Sequence, residues 1–281
     1  MQADVLRVPV GPGAMHVERF GHGGTAVILI HGFGTSSFLW RNVAPAISDA
    51  GHTAYAIDMF GHGESDRPVD SDFGIAAQAE YLDAAMTALR VARGIIVGVD
   101  IGGAVALRLA ATRPERVEKL VLINTPAFDE IPSRDITQMQ RSTAKFAFRT
   151  TRGVLGAAPL IEGVLKGSVS DPDTKMPVKL IARYLAPFAG RDGVNHLLAI
   201  ASSINADDLE DVDIKTIHVP ALVVWGEEDQ WVDSKMADRL VNALPDGRLV
   251  RIPGIGRLVP EENPEQMSTL LLDFMRRRAV A

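Results

Sequence analysis

Short, almost uninterrupted apolar runs constrain this chain most: Thr25–Ile30 (TAVILI), Ile95–Val99 (IIVGV), Val117–Asn124 (VEKLVLIN) and Ala221–Trp225 (ALVVW). A strand with one wet face alternates apolar and polar residues. A run without alternation suits a strand covered on both faces. Further strands are expected at Val5–Val10, Met15–Phe20, His52–Ile57 and Arg248–Ile252, the first two separated by the turn Gly11-Pro12-Gly13. Helical periodicity falls between the runs. Over Ala76–Ala92, Leu82, Ala85, Met86 and Leu89 share one face. Other helices are expected from a Ser36 or Ser37 cap to about Ala50, over Gly103–Thr112, over Ser234–Ala243, and from Asn263 to about Arg278, where Arg276–Arg278 suit a helix C-terminus. Such alternation predicts an α/β fold: a mostly parallel, eight-stranded sheet with helices on both faces.

The rhythm stops after the sixth strand. Residues 125–212 carry no strand signal and read as helices near Asp135–Thr150, Gly153–Lys166, Pro177–Pro187 and Gly193–Asn205. The expected organisation is a core of residues 1–124 and 213–281 interrupted by a helical cap. Phe146, Phe148, Leu155, Leu160, Ile161, Leu165 and Leu197 give that cap apolar faces. Arg134, Arg141, Lys145, Arg149 and Arg152 read as a solvated face, and Asp207-Asp208-Leu209-Glu210-Asp211 as a solvated return linker.

In such sheets the site lies beyond the carboxyl ends of the strands. Gly98-Val99-Asp100-Ile101-Gly102-Gly103 joins a strand to a helix. Its small residues allow a sharp turn that displays the central carboxylate at a helix N-terminus, although a plain helix-capping Asp would leave the same trace. His31-Gly32-Phe33-Gly34 ends an earlier strand, and the backbone N–H groups of Phe33 and Ile101 are the candidate oxyanion donors. The segment Asp58–Asp66 (DMFGHGESD) reads as a structural loop. Asp229, in Gly226-Glu227-Glu228-Asp229, follows a later strand. Arg257 lies in Gly254-Ile255-Gly256-Arg257.

Together HGFGTSSFLWR at 31–41, DMFGHGESD at 58–66, GVDIGG at 98–103, RPERVEKLVLINT at 113–125, VPALVVWGEEDQWV at 219–232 and GIGRLVPEENPE at 254–265 resemble the α/β-hydrolase superfamily over nearly the full chain. The aspartate in the elbow is similar to the branch of epoxide hydrolases and haloalkane dehalogenases. The resemblance implies that Asp100 is a nucleophile forming an ester, that Asp229 is the acidic member of the triad, and that a histidine activates water. Where that family carries the histidine, this chain has Arg257. A guanidinium keeps its proton and cannot act as a base. Placed between Asp100 and Asp229, it is expected to lower the Asp100 pKa.

Neither subfamily pattern is complete. Dehalogenases of this family place Trp where Ile101 stands; epoxide hydrolases place Pro where Gly34 stands and use cap tyrosines, of which only Tyr184 is present. His31, Gly34 and Tyr184 are the expected substrate contacts. His196 is the only cap histidine that could supply a base, and His218 reads as structural. Three readings remain open: a retasked enzyme acting through Asp100 without ester hydrolysis (by ring opening, cyclisation or carbon–carbon bond formation), a conventional hydrolase with a base from the cap, and a non-catalytic binder. The apolar cap residues suit a small apolar, even polycyclic, ligand.

Composition narrows the rest. A net charge of −6 gives no footprint for nucleic acid, and no cysteine means no disulfide or thiol chemistry. No metal or cofactor motif is present. Without a basic leader or an 18-residue apolar run, a cytoplasmic protein with a small-molecule substrate is expected, as monomer or homodimer.

Overall fold

The computed structural model describes residues 3–141, 158–189 and 192–277, with 158–160 described by backbone alone. Eight strands form one sheet: β1 Asp4–Pro9, β2 Ala14–Phe20, β3 Ala26–Ile30, β4 Thr53–Ile57, β5 Gly94–Val99, β6 Val117–Ile123, β7 Ala221–Gly226 and β8 Gly247–Ile252. Their spatial order is β1-β2-β4-β3-β5-β6-β7-β8. β1 and β2 pair antiparallel, as do β2 and β4; every later pairing is parallel. The uninterrupted apolar runs occupy the centre, where β4, β5 and β7 are buried at every position. Helices Ile75–Ala88 and Ile101–Thr112 pack together, and the second also packs on β5 and β6.

Register fixes where chemistry emerges. Ile30 pairs with Gly98, Val99 with Ile123, and Ile123 with Val224. His31, Asp100, Asn124 and the loop to Asp229 therefore leave the sheet at one edge.

Local structure departs from expectation in two places. The helix expected from Ser36 to Ala50 is two pieces, a 3₁₀ turn at Ser37–Trp40 and a helix at Ala44–Asp49, and Ser36 makes no side-chain cap. Pro45, which cannot donate within a continuing helix, lies in the first turn of the second piece. The acidic run is a clasp rather than a free linker. Asp208 accepts from the N–H groups of Ile75 and Ala76 at 3.2 Å each, capping a helix whose own N-cap is Gly74. Arg108 holds the Asp208 carbonyl at 2.6 Å and the Asp211 carboxylate at 2.6 Å.

Between β6 and β7 the described elements are all helical, including Arg134–Gln140, Ala158–Gly167, Val178–Leu185 and Gly193–Ser203. Arg134 and Arg141 are exposed, while Ile161, Leu165 and Leu197 are buried. The expectations on Lys145, Phe146, Phe148, Arg149, Arg152, Leu155, Arg278 and the Leu160 side chain lie outside the described residues. No helix among the described residues is long and apolar enough to cross a membrane.

Candidate active site

The turn after β5 forces Asp100 into a conformation side chains rarely adopt, with φ +54° and ψ −124°. Such strain persists where surrounding structure holds it and marks functional turns. Here the Asp100 N–H is fixed on the Ile123 carbonyl at 2.9 Å, and its carbonyl accepts from the Gly103 N–H at 2.9 Å. Gly32 is required by close approach: a Cβ there would lie 2.8 Å from the Asp100 Cβ. The carboxylate does not cap its own helix. It turns toward β3, where Oδ2 accepts from the Phe33 N–H at 3.0 Å. One of the two expected oxyanion donors is thus engaged by Asp100 itself; Ile101 opens the helix behind it.

Arg257 reaches the same point from the loop after β8. Its side chain is 1% exposed and sits among three carboxylates. Nη1 is 3.2 Å from Asp100 Oδ1 and 3.1 Å from Asp135 Oδ2, and Nε is 3.5 Å from Asp229 Oδ1. Asp100, Asp229 and Arg257 are therefore brought together as the sequence suggested. Asp135 is the residue sequence reasoning missed. It lies in the first turn of helix Arg134–Gln140, fully buried, with Oδ1 accepting from the Ser133 hydroxyl at 2.6 Å.

The electrostatic expectation for Asp100 is overturned. Burial disfavours its ionised form most strongly, Arg257 and the Phe33 N–H oppose this, and the neighbouring Asp135 and Asp229 charges add to it. The net result pushes Asp100 up to about 6 rather than down. Burial also works against the charge on Arg257, but the three carboxylates outweigh it and hold the guanidinium above its ordinary value. A trio of carboxylates is a usual setting for a metal ion; here the guanidinium already occupies the space between them.

Among the described residues, Asp100 Oδ1, Arg257 Nε and Arg257 Nη2 lack a well-formed hydrogen bond. Buried polar atoms without partners are uncommon and mark places where a ligand or water belongs.

His31, Tyr184 and His196 are each committed to other groups. His31 is fully buried with both ring nitrogens engaged: Nδ1 donates to the Gly32 carbonyl at 2.8 Å, and Nε2 accepts from the Met59 N–H at 3.0 Å. It braces the β3 turn and keeps no ring nitrogen for substrate; burial lowers its pKa. Tyr184 donates its hydroxyl proton to Glu261 at 2.6 Å, and Glu261 also binds Arg41, so that proton is committed to a carboxylate. Burial and the Glu261 charge raise the Tyr184 pKa well above its ordinary value. Gly34, at φ +71°, faces Ile161, which a Cβ would meet at 3.6 Å. His196 hydrogen-bonds the Gly61 carbonyl and packs on Phe73 and Phe188, not on Asp100. His218 is exposed just before β7.

The loop bearing Arg257 is fastened to the helical insert. The Gly256 N–H donates to Glu262 at 2.6 Å, whose other oxygen accepts from the Ser170 N–H at 3.0 Å, and the Leu258 N–H donates to the Ser168 carbonyl at 3.1 Å.

A family model described as alpha/beta hydrolase fold matches residues 25–264. The chain belongs to the α/β-hydrolase family. A 2-hydroxy-6-oxononadienedioate/2-hydroxy-6-oxononatrienedioate hydrolase from Burkholderia vietnamiensis is 28% identical, covering 94% of this chain and 91% of the relative. The bifunctional epoxide hydrolase 2 of Rattus norvegicus is 25% identical over 96% of this chain and 55% of its own length. The crystal structure of an ancestral haloalkane dehalogenase superposes with a TM-score of 0.80 at 23% identity, covering 97% of this chain and 100% of that one. This α/β-hydrolase chain is thus a hydrolase-fold enzyme whose sequence relatives include an epoxide hydrolase and an oxononadienedioate hydrolase, while its likeness to the dehalogenase is one of fold.

Proposed function

We propose that this enzyme acts through Asp100 on an epoxide or another activated small apolar substrate, and that it completes the reaction without hydrolysing an enzyme ester. The guanidinium of Arg257 among Asp100, Asp135 and Asp229 carries this reading. A hydrolase working through an aspartyl ester needs a base to activate water, and guanidinium does not release its proton. Among the described residues no histidine bonds Asp100, Asp229 or Arg257.

A carboxylate that titrates near neutrality is suited to taking a proton and giving it back. In a balanced ring-opening isomerisation, a hydroxyl oxygen of the substrate attacks an epoxide carbon and the ring C–O bond breaks. Asp100 accepts the hydroxyl proton and returns it to the alkoxide, which the Arg257 guanidinium and the Ile101 N–H stabilise meanwhile. No water is consumed and no cofactor is needed. The helical insert acts as a cap over the site.

Substrate charge is also constrained. Three carboxylates face one guanidinium, so burying an anionic substrate beside them is costly. The preferred substrate is neutral, unlike the dienedioate in the name of the Burkholderia relative.

The test is incubation with a panel of neutral epoxides, hydroxy-epoxides and haloalkanes in H₂¹⁸O, recording product mass and intact protein mass together. Isomer formation without ¹⁸O and without a protein adduct is expected. Steady ¹⁸O-labelled diol, or steady halide release, would show that a working base exists and would sink the reading. A stoichiometric adduct on Asp100 without turnover would mean a nucleophile whose native chemistry lies elsewhere. Ligand binding unaffected by Asp100→Asn, with no product from either form, would favour a binder.

A further inference from the structure

One nitrogen, Arg257 Nη1, serves two carboxylates: Asp100 from the sheet at 3.2 Å and Asp135 from the helical insert at 3.1 Å. A buried carboxylate is costly unless paired, and among the described residues Asp135 has no partner of its own beyond the Ser133 hydroxyl. Its contact with Arg257 is drawn from the cation that would otherwise serve Asp100 and Asp229. A residue needed only to begin helix Arg134–Gln140 would point to the helix end or to solvent. Asp135 instead lies on the buried stripe with Ile136 and Met139.

Among the described residues, the groups that act on the Asp100 charge are few. They are Arg257 after β8, Asp135 from the insert, Asp229 after β7 and the Phe33 N–H after β3. A second carboxylate at the same donor raises the affinity of Asp100 for a proton, and the Asp135 charge does so more than the Asp229 charge.

We propose that Asp135 is a positioning residue of the site: carried in by the insert, it shares the Arg257 Nη1 contact with Asp100 and so leaves Asp100 free to exchange a proton. This rests on reading Asp100 as the proton-handling group, and the test separates the two. The experiment is a pH titration of ¹³C-carboxyl-labelled aspartate by NMR in the whole protein, with the Asp100 signal assigned by its loss in Asp100→Asn. Circular dichroism confirms that each variant folds.

The wild-type midpoint is expected at about 6, because burial and the neighbouring acids raise it above the ordinary carboxylate value. Asp135→Asn should lower it by about one pH unit or more, and Asp135→Glu should return it most of the way. Ser133→Ala, which removes the other donor of Asp135 but keeps its charge, should press Asp135 harder onto Arg257 and move the midpoint less and upward. This variant decides the matter if Asp135→Asn does not fold. In turnover, the acidic limb of the kcat/KM profile should move with the midpoint. A midpoint unchanged in folded Asp135→Asn, or in Ser133→Ala where only that variant folds, overturns the role of Asp135 alone. An Asp100 signal that stays ionised down to about pH 5 in the wild type overturns the proton-handling reading, and the Asp135 role with it.

Discussion

Two loops at one edge of the sheet bring an aspartate to the same guanidinium and equip it differently. Asp229, after β7, accepts from the N–H groups of Trp231 at 2.9 Å and Val232 at 3.3 Å, and from the Asn124 amide at 3.1 Å, besides facing Arg257. Asp100, after β5, has one backbone N–H and a shared guanidinium contact, on a strained backbone. One loop settles its carboxylate; the other leaves it wanting a partner. Equal burial therefore does not mean equal chemistry: the supply of donors decides which acid is left to act.

The sharpest way to break this contrast is Asp100→Asn, which should cut product formation about 10³-fold while the protein stays folded. A comparable loss in Asp229→Asn with Asp100→Asn near wild type would reverse the assignment. Next comes Arg257→Met, which strips the cation from three buried carboxylates. Urea unfolding at pH 8 should show a loss of about 3–5 kcal/mol, smaller at pH 5 where protonation relieves the repulsion. A loss below about 1 kcal/mol would mean the cluster contributes little.

The third handle is pH. The folded Asp100 pKa of about 6 lies above the unfolded value of 3.8, so the folded state binds more protons between them. The stabilisation from this group is complete below 3.8 and lost as pH rises through 6. Its size is on the order of 3 kcal/mol. The difference between wild-type and Asp100→Asn stability curves should slope down over that window; a flat difference would remove the donor-poor description of Asp100. Asn124→Ala, which removes the amide bridging Asp229 and the Gly226 backbone, should cost about 1–2 kcal/mol in unfolding and spare the Asp100 titration. The smallest effect is expected from Tyr184→Phe: less than about threefold in rate, since its proton is held by Glu261. A tenfold fall would restore Tyr184 as a proton donor.

The sheet was legible because burial on both faces leaves no room for polar residues, so its strands announce themselves in Thr25–Ile30 and Ala221–Trp225. Asp100, Asp229 and Arg257 were legible because each follows a strand or lies in a glycine-marked loop. Asp135 was not, since no local rule links a helix start in the insert to a guanidinium 122 residues away. The available signal was a carboxylate on the same helical stripe as Ile136 and Met139. The upward direction of the Asp100 shift was illegible for a related reason: complete burial, which raises it most, and Asp135, which adds to it, are both properties of the folded chain rather than of the local sequence. The Asp208 cap on Ile75 and Ala76 likewise joins segments that only the folded chain brings together.

The fastening of the Arg257 loop to the insert through Glu262, Ser170 and Ser168 works as a latch between the two. Swinging the insert away would carry off Asp135 and drag the Arg257 loop with it, leaving two buried acids facing each other without their counter-ion. Opening such a door strands charge, so the insert and the Arg257 loop are expected to come loose together or not at all. The two then share one clock: the amide protons of Ser170 and Leu258, though far apart in the chain, should exchange at a common rate.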